Sequence, residues 1–348
     1  MTQHKKITFI DFAKGFAIFT IVVMHYFQRM PVPGWMAKGV LLGGTGIHVF
    51  ILLSGFGLIL GRYQGWMAFL QRRASKILLP YYFFITLLFI LNFFVVVHPD
   101  MDGYAYLGNL FFFQLIDERI VYVFGIQFWF ISTILQLYLL FPVLRIGLQK
   151  LGAVKFSLVC LFISSLYFMI LYFTGAYQSK VWSRLFPQYL WEFGLGMALA
   201  HLYQVRQFQF WNMAYHWLIL GFLGGFGTMA LLTFYLGDLG VVINDIPAMV
   251  GYLSATILLY RLSVSLIGFI ESGFLFIGKY SYPLYLVHIA VLSLWLHFVT
   301  ITRPLPLLLA FFLIYLLAAL VASVIYDKLY AWVYHRLSRK QSSGKKNI

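Results

Sequence analysis

The stretch ITFIDFAKGFAIFTIVVMHYF, residues 7–27, is almost unbroken apolar sequence that carries three ionisable side chains, Asp11, Lys14 and His25. A helix rises about 1.5 Å per residue, so a run of this length crosses a hydrocarbon core of roughly 30 Å. No small-residue cleavage site follows it, which favours a membrane span over a signal peptide. The stretch therefore predicts a transmembrane helix that carries charge.

The rest of the chain repeats this composition. Of its 348 residues, 62% are hydrophobic and 10% are charged, whereas soluble domains are about 45–50% apolar and about 25% charged. We predict an all-α polytopic membrane protein whose helices form one bundle. Ten candidate spans can be read, at 7–27, 40–60, 77–97, 127–147, 154–173, 185–203, 213–235, 246–262, 280–299 and 305–328.

The positive charges predict an orientation. With a cytoplasmic N-terminus, 18 of the 25 Lys and Arg residues fall on the inner side and six on the outer side, as the positive-inside rule requires. Ten spans then place both termini in the cytoplasm. The net charge of +15 is thus explained by topology, and no nucleic-acid partner is expected. We predict a membrane domain at 1–335 and a basic cytoplasmic tail, expected to be disordered, at 336–348.

Charged groups inside a membrane are costly and usually functional. Lys14 and His25 are eleven residues apart, only about 20° from three full turns, so they share one helix face at a separation of roughly 16 Å. Asp11 is placed to pair with Lys14, which leaves a purely structural pair open. For His25 we favour proton transfer over a simple interhelical hydrogen bond.

Three further places carry candidate site residues. His48 and Ser54 lie in the second span, where the neighbouring glycines equally suit close helix packing. Arg72, Arg73 and Lys76 precede the third span; they fit a phosphate site, and they also fit ordinary cytoplasmic charge. Glu192 is a carboxylate inside the sixth span. The single cysteine, Cys160, excludes an internal disulfide, and no metal site is predicted.

Six motifs in order give the chain a resemblance to the acyltransferase-3 family of bacterial membrane acyltransferases. They are Asp11 with Lys14 and His25, GIHVFILLSGF at 46–56, RRASKILLP at 72–80, WFISTILQLY at 129–138, EFGLG at 192–196, and SYPLYLVH at 281–288, which adds Tyr282 and His288 to the candidates. The chain departs from the family pattern in having lysine at 14 and 76 where the family has arginine, and His48 where it has aspartate.

The resemblance implies an enzyme of the bacterial inner membrane, an O-acyltransferase. It would move an acetyl or similar group from cytoplasmic acyl-CoA to a hydroxyl of a cell-surface or lipid-linked glycan. Acyl-CoA is then a donor substrate and no cofactor is permanently bound. Arg72, Arg73 and Lys76 would hold the phosphates of the donor. His25 would act as base or transient acyl carrier, with Lys14 and Asp11 along the path. Glycan-assembly proteins are possible partners.

Two other functions stay open on the sequence. The first is export of a polysaccharide without acyl transfer, since aromatic residues make up 20% of the chain and could line a sugar path. Against it, the chain shows no internal repeat of the kind that many transporters have. The second is a sensor that responds to protonation of His25 and His48; the sequence offers no signalling domain to support it.

Overall fold

The computed structural model describes residues 7–96, 98–299 and 304–344, and the regular secondary structure of this part is helical, joined by turns and loops. Eight helical segments here are long and apolar enough to cross a membrane, so the chain is a multi-pass membrane protein by length and hydropathy. Large apolar side chains also point outward from the bundle: Phe162 is 68% exposed and Phe173 is 77% exposed. Such a surface suits lipid and not water.

The first half of the chain forms helices close to the predicted spans. Each of the first three predicted spans coincides with one long helical run. The second run begins at Gly34 and the third at Trp66, both earlier than predicted. The helices are α1 at Thr8–Phe27, α2 at Gly34–Leu41, α3 at Gly46–Leu60, α4 at Trp66–Arg73, α5 at Leu79–Asn92 and α6 at Gly103–Leu110. A 3₁₀ turn at Leu42–Thr45 joins α2 to α3, and a π-helical segment at Ala74–Leu78 joins α4 to α5.

The second half contains longer helices. They are α7 at Trp129–Phe173, α8 at Phe186–Arg206, α9 at Tyr215–Ile243, α10 at Asp245–Leu266, α11 at Gly268–Lys279, α12 at Ser281–Phe298 and α13 at Leu305–Gly344. The sequence predicts a disordered tail after His335, but α13 continues to Gly344. The prediction is therefore wrong for residues 336–344. The predicted tail residues 345–348, the N-terminal lysines Lys5 and Lys6, and Arg303 lie outside the described residues.

The eight spans and the predicted ten differ for two reasons. The fourth and fifth predictions fall in one 45-residue helix, α7, which bends at Gly152 where φ is 72° and ψ is 169°. The sixth prediction is a real 21-residue helix, α8, but its polar side chains, which include Gln188 and Glu192, lower its hydropathy. The positions of these helices therefore agree with the sequence even where the count of strongly apolar spans does not.

Two local predictions need correction. The helix expected at 104–116 ends at Leu110, because Phe112 adopts a left-handed conformation with φ of 62°. The 12-residue helix α11 was not predicted, since it is too short to cross a bilayer. It crosses α1 closely, because Gly15 faces the backbone of Phe274 and Gly278 faces the backbone of Asp11, and a Cβ at either glycine would clash.

Candidate active site

Two histidines from distant parts of the chain meet in the structure. Nδ1 of His25, in the last turn of α1, is 3.0 Å from Nε2 of His288 in α12. Nδ1 of His288 lies 3.0 Å from the carbonyl oxygen of Leu284 and 2.9 Å from that of Tyr285. Carbonyl oxygens only accept, so this pattern assigns the proton of His288 to Nδ1. Its Nε2 then accepts from Nδ1 of His25, which leaves Nε2 of His25 with a lone pair.

Backbone contacts fix the helix that carries His288. The hydroxyl of Tyr285 donates to the carbonyl of Gln127, and the side-chain amide of Gln127 donates to the carbonyl of Leu286 at 3.4 Å. The hydroxyl of Tyr315, in α13, donates to the carbonyl of His288 at 3.0 Å. These bonds lock the imidazole of His288 and, through it, the orientation of His25.

His25 lines a cavity of about 340 Å³, hereafter the His25 cavity. The wall is formed by side chains from α1, α3, α7, α8, α9 and α10 together with the loops between them. Its ionisable and aromatic members are His25, His48, Trp129, Arg184, Tyr189 and Asp245. Since Nδ1 of His25 is held by His288, Nε2 is the ring nitrogen left for a molecule bound in this cavity.

A second histidine in the cavity is held between two carboxylates, and we call His48, Glu192 and Asp245 the acidic cluster. Nδ1 of His48 is 2.7 Å from Oε1 of Glu192, and its Nε2 is 3.8 Å from Oδ1 of Asp245. The side-chain amide of Gln188 donates to Oδ2 of Asp245 at 2.6 Å. His48 is 5% exposed and Glu192 is fully buried. The structure thus joins the separately predicted candidates His48 and Glu192 and adds Asp245.

Close packing of α3 on α8 brings His48 and Glu192 together. Gly55 of α3 faces the carbonyl of Phe193, and Gly196 of α8 faces the carbonyl of Leu52. A Cβ at either glycine would clash with the partner backbone. Glycine pairs of this kind let membrane helices approach closely. Gly55, one of the glycines that suit close helix packing, therefore helps to position His48, which lies two turns earlier in α3.

Aromatic rings and an arginine form another part of the cavity wall. The rings of Trp129 and Tyr189 lie 5.6 Å apart. The guanidinium of Arg184 lies 5.0 Å from the ring of Trp129 and 5.1 Å from that of Tyr122. Its Nη1 is buried without a hydrogen-bond partner in the described part of the chain. This wall offers a flat apolar face beside a cationic donor.

The basic segment, residues 72–76, contributes no side chain to the wall of this cavity. The guanidinium of Arg73 packs 5.6 Å from the ring of Phe69 and 5.7 Å from that of Tyr138, and its Nε is buried without a partner among residues 7–96, 98–299 and 304–344. Arg72 donates to Gln64 and to the backbone of Arg62. A π-helical turn follows directly, and such turns are frequent at functional sites.

One family model matches nearly the whole of this chain. The family model described as an acyltransferase domain, of the acyltransferase 3 type, covers residues 7–327. The chain belongs to the acyltransferase 3 family. No curated protein and no solved structure matches it. The chain is therefore a membrane-embedded acyltransferase, and the family match includes both the His25 cavity and the basic segment.

The remaining predicted site residues take other places in this acyltransferase. The hydroxyl of Tyr282 donates to the carbonyl of Ile77 at 2.6 Å and so ties α12 to the π-helical turn. The hydroxyl of Ser54 bonds to the carbonyl of Phe50 in its own helix at 2.7 Å, and Ser54 does not line the His25 cavity. Its prediction as a site residue receives no support from this geometry.

Asp11 and Lys14 lie in the first half of α1 and are both half-buried. The helix continues without a break to His25, so the shared face predicted from the spacing is present. Neither residue lines the His25 cavity. The structure therefore places them on the same helix as His25 and not beside it, with Lys14 about 16 Å and Asp11 about 21 Å away along the axis.

The sequence reasoning missed several residues of the cavity. Arg184 and Asp245 were counted only as charges in connecting segments, and Gln188 and Tyr189 were not singled out. Asp245 could have been recognised as a candidate from the sequence, because it stands one residue before the predicted start of a span at 246. Arg184 had no such signal in the sequence alone.

A charged pair outside the spans lies in the loop between α6 and α7. Two nitrogens of Arg119 donate to the carboxylate of Asp117 at distances between 2.6 and 3.1 Å. These hydrogen bonds hold the pKa of Asp117 well below its usual range. Asp117 and Arg119 are only two residues apart in the sequence, whereas the buried contacts of the His25 cavity join distant helices.

Proposed function

We propose that this acyltransferase moves an acetyl or similar acyl group from cytoplasmic acyl-CoA to a hydroxyl of a cell-surface or lipid-linked glycan. The membrane would be the bacterial inner membrane, with both chain termini in the cytoplasm. The observation that carries the proposal is the free ring nitrogen of His25 in a cavity at one end of α1, while the basic segment lies apart from that cavity.

His25 is the general base in this proposal. Its Nδ1–H is held by His288, so Nε2 is oriented to accept the proton of an acceptor hydroxyl. The oxygen attacks the thioester carbonyl, the carbon–sulfur bond breaks, and the proton on His25 passes to the departing CoA thiolate. Acid–base catalysis of this type contributes about 10²- to 10⁴-fold. His288 is a positioning residue, since it acts through His25.

The donor binds through the basic segment. Arg72 and Arg73 present forks suited to phosphate oxygens, and Lys76 adds an exposed charge. Tyr282 anchors α12 beside this segment through Ile77, and His288 follows six residues later, about 9 Å along the same helix. The thin pantetheine arm can then follow α12 from the phosphates to the histidines, with Lys14 and Asp11 lining the path from α1.

The acceptor binds in the His25 cavity. Trp129 and Tyr189 offer flat rings on which a sugar can stack, and Gln188, Asp245 and Arg184 offer polar groups for its hydroxyls. A mostly apolar cavity with a few convergent polar groups is the usual form of a small-molecule site. This arrangement supports a saccharide acceptor.

Mass spectrometry of surface glycans tests the proposed function directly. Cells that lack the gene should lose an O-acyl group from one glycan, and wild-type protein should restore it. An unchanged set of glycan O-acyl groups after deletion would contradict the proposal.

A further inference from the structure

Two atoms of the acidic cluster face each other without a hydrogen bond between them. Nε2 of His48 and Oδ1 of Asp245 are 3.8 Å apart, which is too long for a hydrogen bond. One metal ion at about 2.0–2.2 Å from each atom fits between two ligands at this separation. On its other side, His48 is fixed by Glu192 through Nδ1 at 2.7 Å.

This pattern resembles the supporting contacts of protein metal sites. A histidine that binds a metal usually donates its second ring N–H to a carboxylate, which fixes the tautomer and the ring orientation. Glu192 stands in that position and is fully buried. The tautomer with the proton on Nδ1 directs the lone pair of Nε2 toward Asp245.

Two oxygens beside the cluster have no partner. Oε2 of Glu192 and Oε1 of Gln188 are buried and make no hydrogen bond within the described residues, and Gln188 is only 7% exposed. Leaving a buried oxygen without a hydrogen-bond partner costs free energy, because its hydration is lost and not replaced. A cation bound in the cluster would give such oxygens a partner.

The charge of the cluster also favours a cation. With both carboxylates ionised, the cluster is net negative whether His48 is neutral or protonated. Uncompensated charge in a membrane-embedded site is costly. His48, Glu192 and Asp245 each offer a nitrogen or oxygen atom within 4.8 Å of the others, so both carboxylates lie close to an ion bound between His48 and Asp245.

We propose that His48 and Asp245 bind one divalent metal ion, with Glu192 orienting His48 and Gln188 supplying a further oxygen. The mixed nitrogen and oxygen donors suit Zn²⁺ or Mn²⁺. The ion has two routes of access, because the His25 cavity reaches His48 and Asp245, and a second cavity of about 190 Å³ reaches Gln188 and Asp245 from another side. Bound there, the ion presents an open position to the His25 cavity.

Calorimetric titration of the full chain tests this site. The protein is purified in detergent, stripped with EDTA and titrated with ZnCl₂ and, separately, MnCl₂. We expect saturable binding of one ion per chain. The substitutions His48→Gln and Asp245→Asn should each weaken binding at least about tenfold, and Glu192→Gln should weaken it about 10- to 100-fold.

The chain supplies a matched control. Nδ1 of His98 lies 3.9 Å from Oδ2 of Asp100 in an exposed His–Asp pair, so His98→Gln should leave the titration unchanged. Thermal unfolding of the metal-free proteins is followed in parallel, and a variant that fails to fold is replaced by Asp245→Glu. Absence of saturable binding to the wild type, or equal losses in His98→Gln, would overturn the site. The titration uses no acyl-CoA and no glycan, so its outcome is independent of the proposed acyl transfer.

Discussion

The His25 cavity and the basic segment are built in opposite ways. The cavity gathers side chains from six helices, and its histidines are almost fully buried and held by defined partners. Arg72, Arg73 and Lys76 are close neighbours in sequence, half-buried or exposed, and positioned by one helical run with a π turn. A site for chemistry needs fixed atoms, whereas a site for flexible phosphates needs charge near the surface.

The largest effect is expected from removing the base. His25→Ala should lower acyl transfer about 10²- to 10⁴-fold because it removes the group that accepts the acceptor proton. The measurement is transfer of labelled acyl from acyl-CoA to glycan in membranes, at matched protein levels. His98→Ala, an exposed histidine, is the control and should keep full activity. Normal acyl transfer by His25→Ala would contradict the role of His25 as the general base and of the His25 cavity as the catalytic site.

A smaller loss is expected from His288→Ala, which leaves His25 in place without its partner. Transfer should fall by about 10²-fold, since His25 would no longer be held in the tautomer that frees Nε2. The positioning role also predicts a changed pH profile of kcat, whereas a purely structural role would lower the amount of folded protein at an unchanged profile. Full activity with the wild-type profile would contradict the role of His288.

The glycine crossing tests whether packing sets the cavity. Gly55→Ala should destabilise the fold by about 1–3 kcal/mol, because the added Cβ meets the carbonyl of Phe193. Gly57→Ala on the same helix is the control, since it faces open space among the described residues. Thermal unfolding in detergent compares the two. Equal melting temperatures for both variants would show that α3 and α8 do not pack as described.

The basic segment predicts a change in donor binding with little change in chemistry. Arg73→Gln should raise the KM for acyl-CoA about tenfold and leave kcat nearly unchanged, because a charged hydrogen bond to phosphate contributes about 1.5–3 kcal/mol. Acyl-pantetheine, which lacks the nucleotide phosphates, should react equally with wild type and variant. A KM that rises equally for both donors would place Arg73 elsewhere than at the phosphates.

The smallest effect is expected in the loop between α6 and α7. Asp117→Asn removes the carboxylate that pairs with the exposed side chain of Arg119, and ion pairs at the surface contribute at most about 1 kcal/mol. Since Arg119 holds the pKa of Asp117 low, the carboxylate stays charged at any pH used for the assay, and wild type and variant should show parallel pH profiles. A large loss of transfer would mean that this loop takes part in the site.

The contrast between the His25 cavity and the basic segment also explains which parts of the site could be predicted from the sequence. Helices follow from long apolar runs, and the basic segment can be read because its residues are neighbours. The contacts of His25 with His288, and of His48 with Glu192, join residues 263 and 144 positions apart. Such pairs depend on how helices cross, which in turn depends on close glycine contacts. Asp245 looked like a loop acid because only the packing of α10 brings it to His48.

Reconstitution into liposomes tests the central claim most directly. Acyl-CoA is supplied on the side of the basic segment and a glycan acceptor only on the side of the His25 cavity. The account predicts acylated acceptor on the far side together with an equal amount of free CoA on the near side, and neither product with His25→Ala. Passage of unmodified glycan without release of CoA would contradict it and favour export.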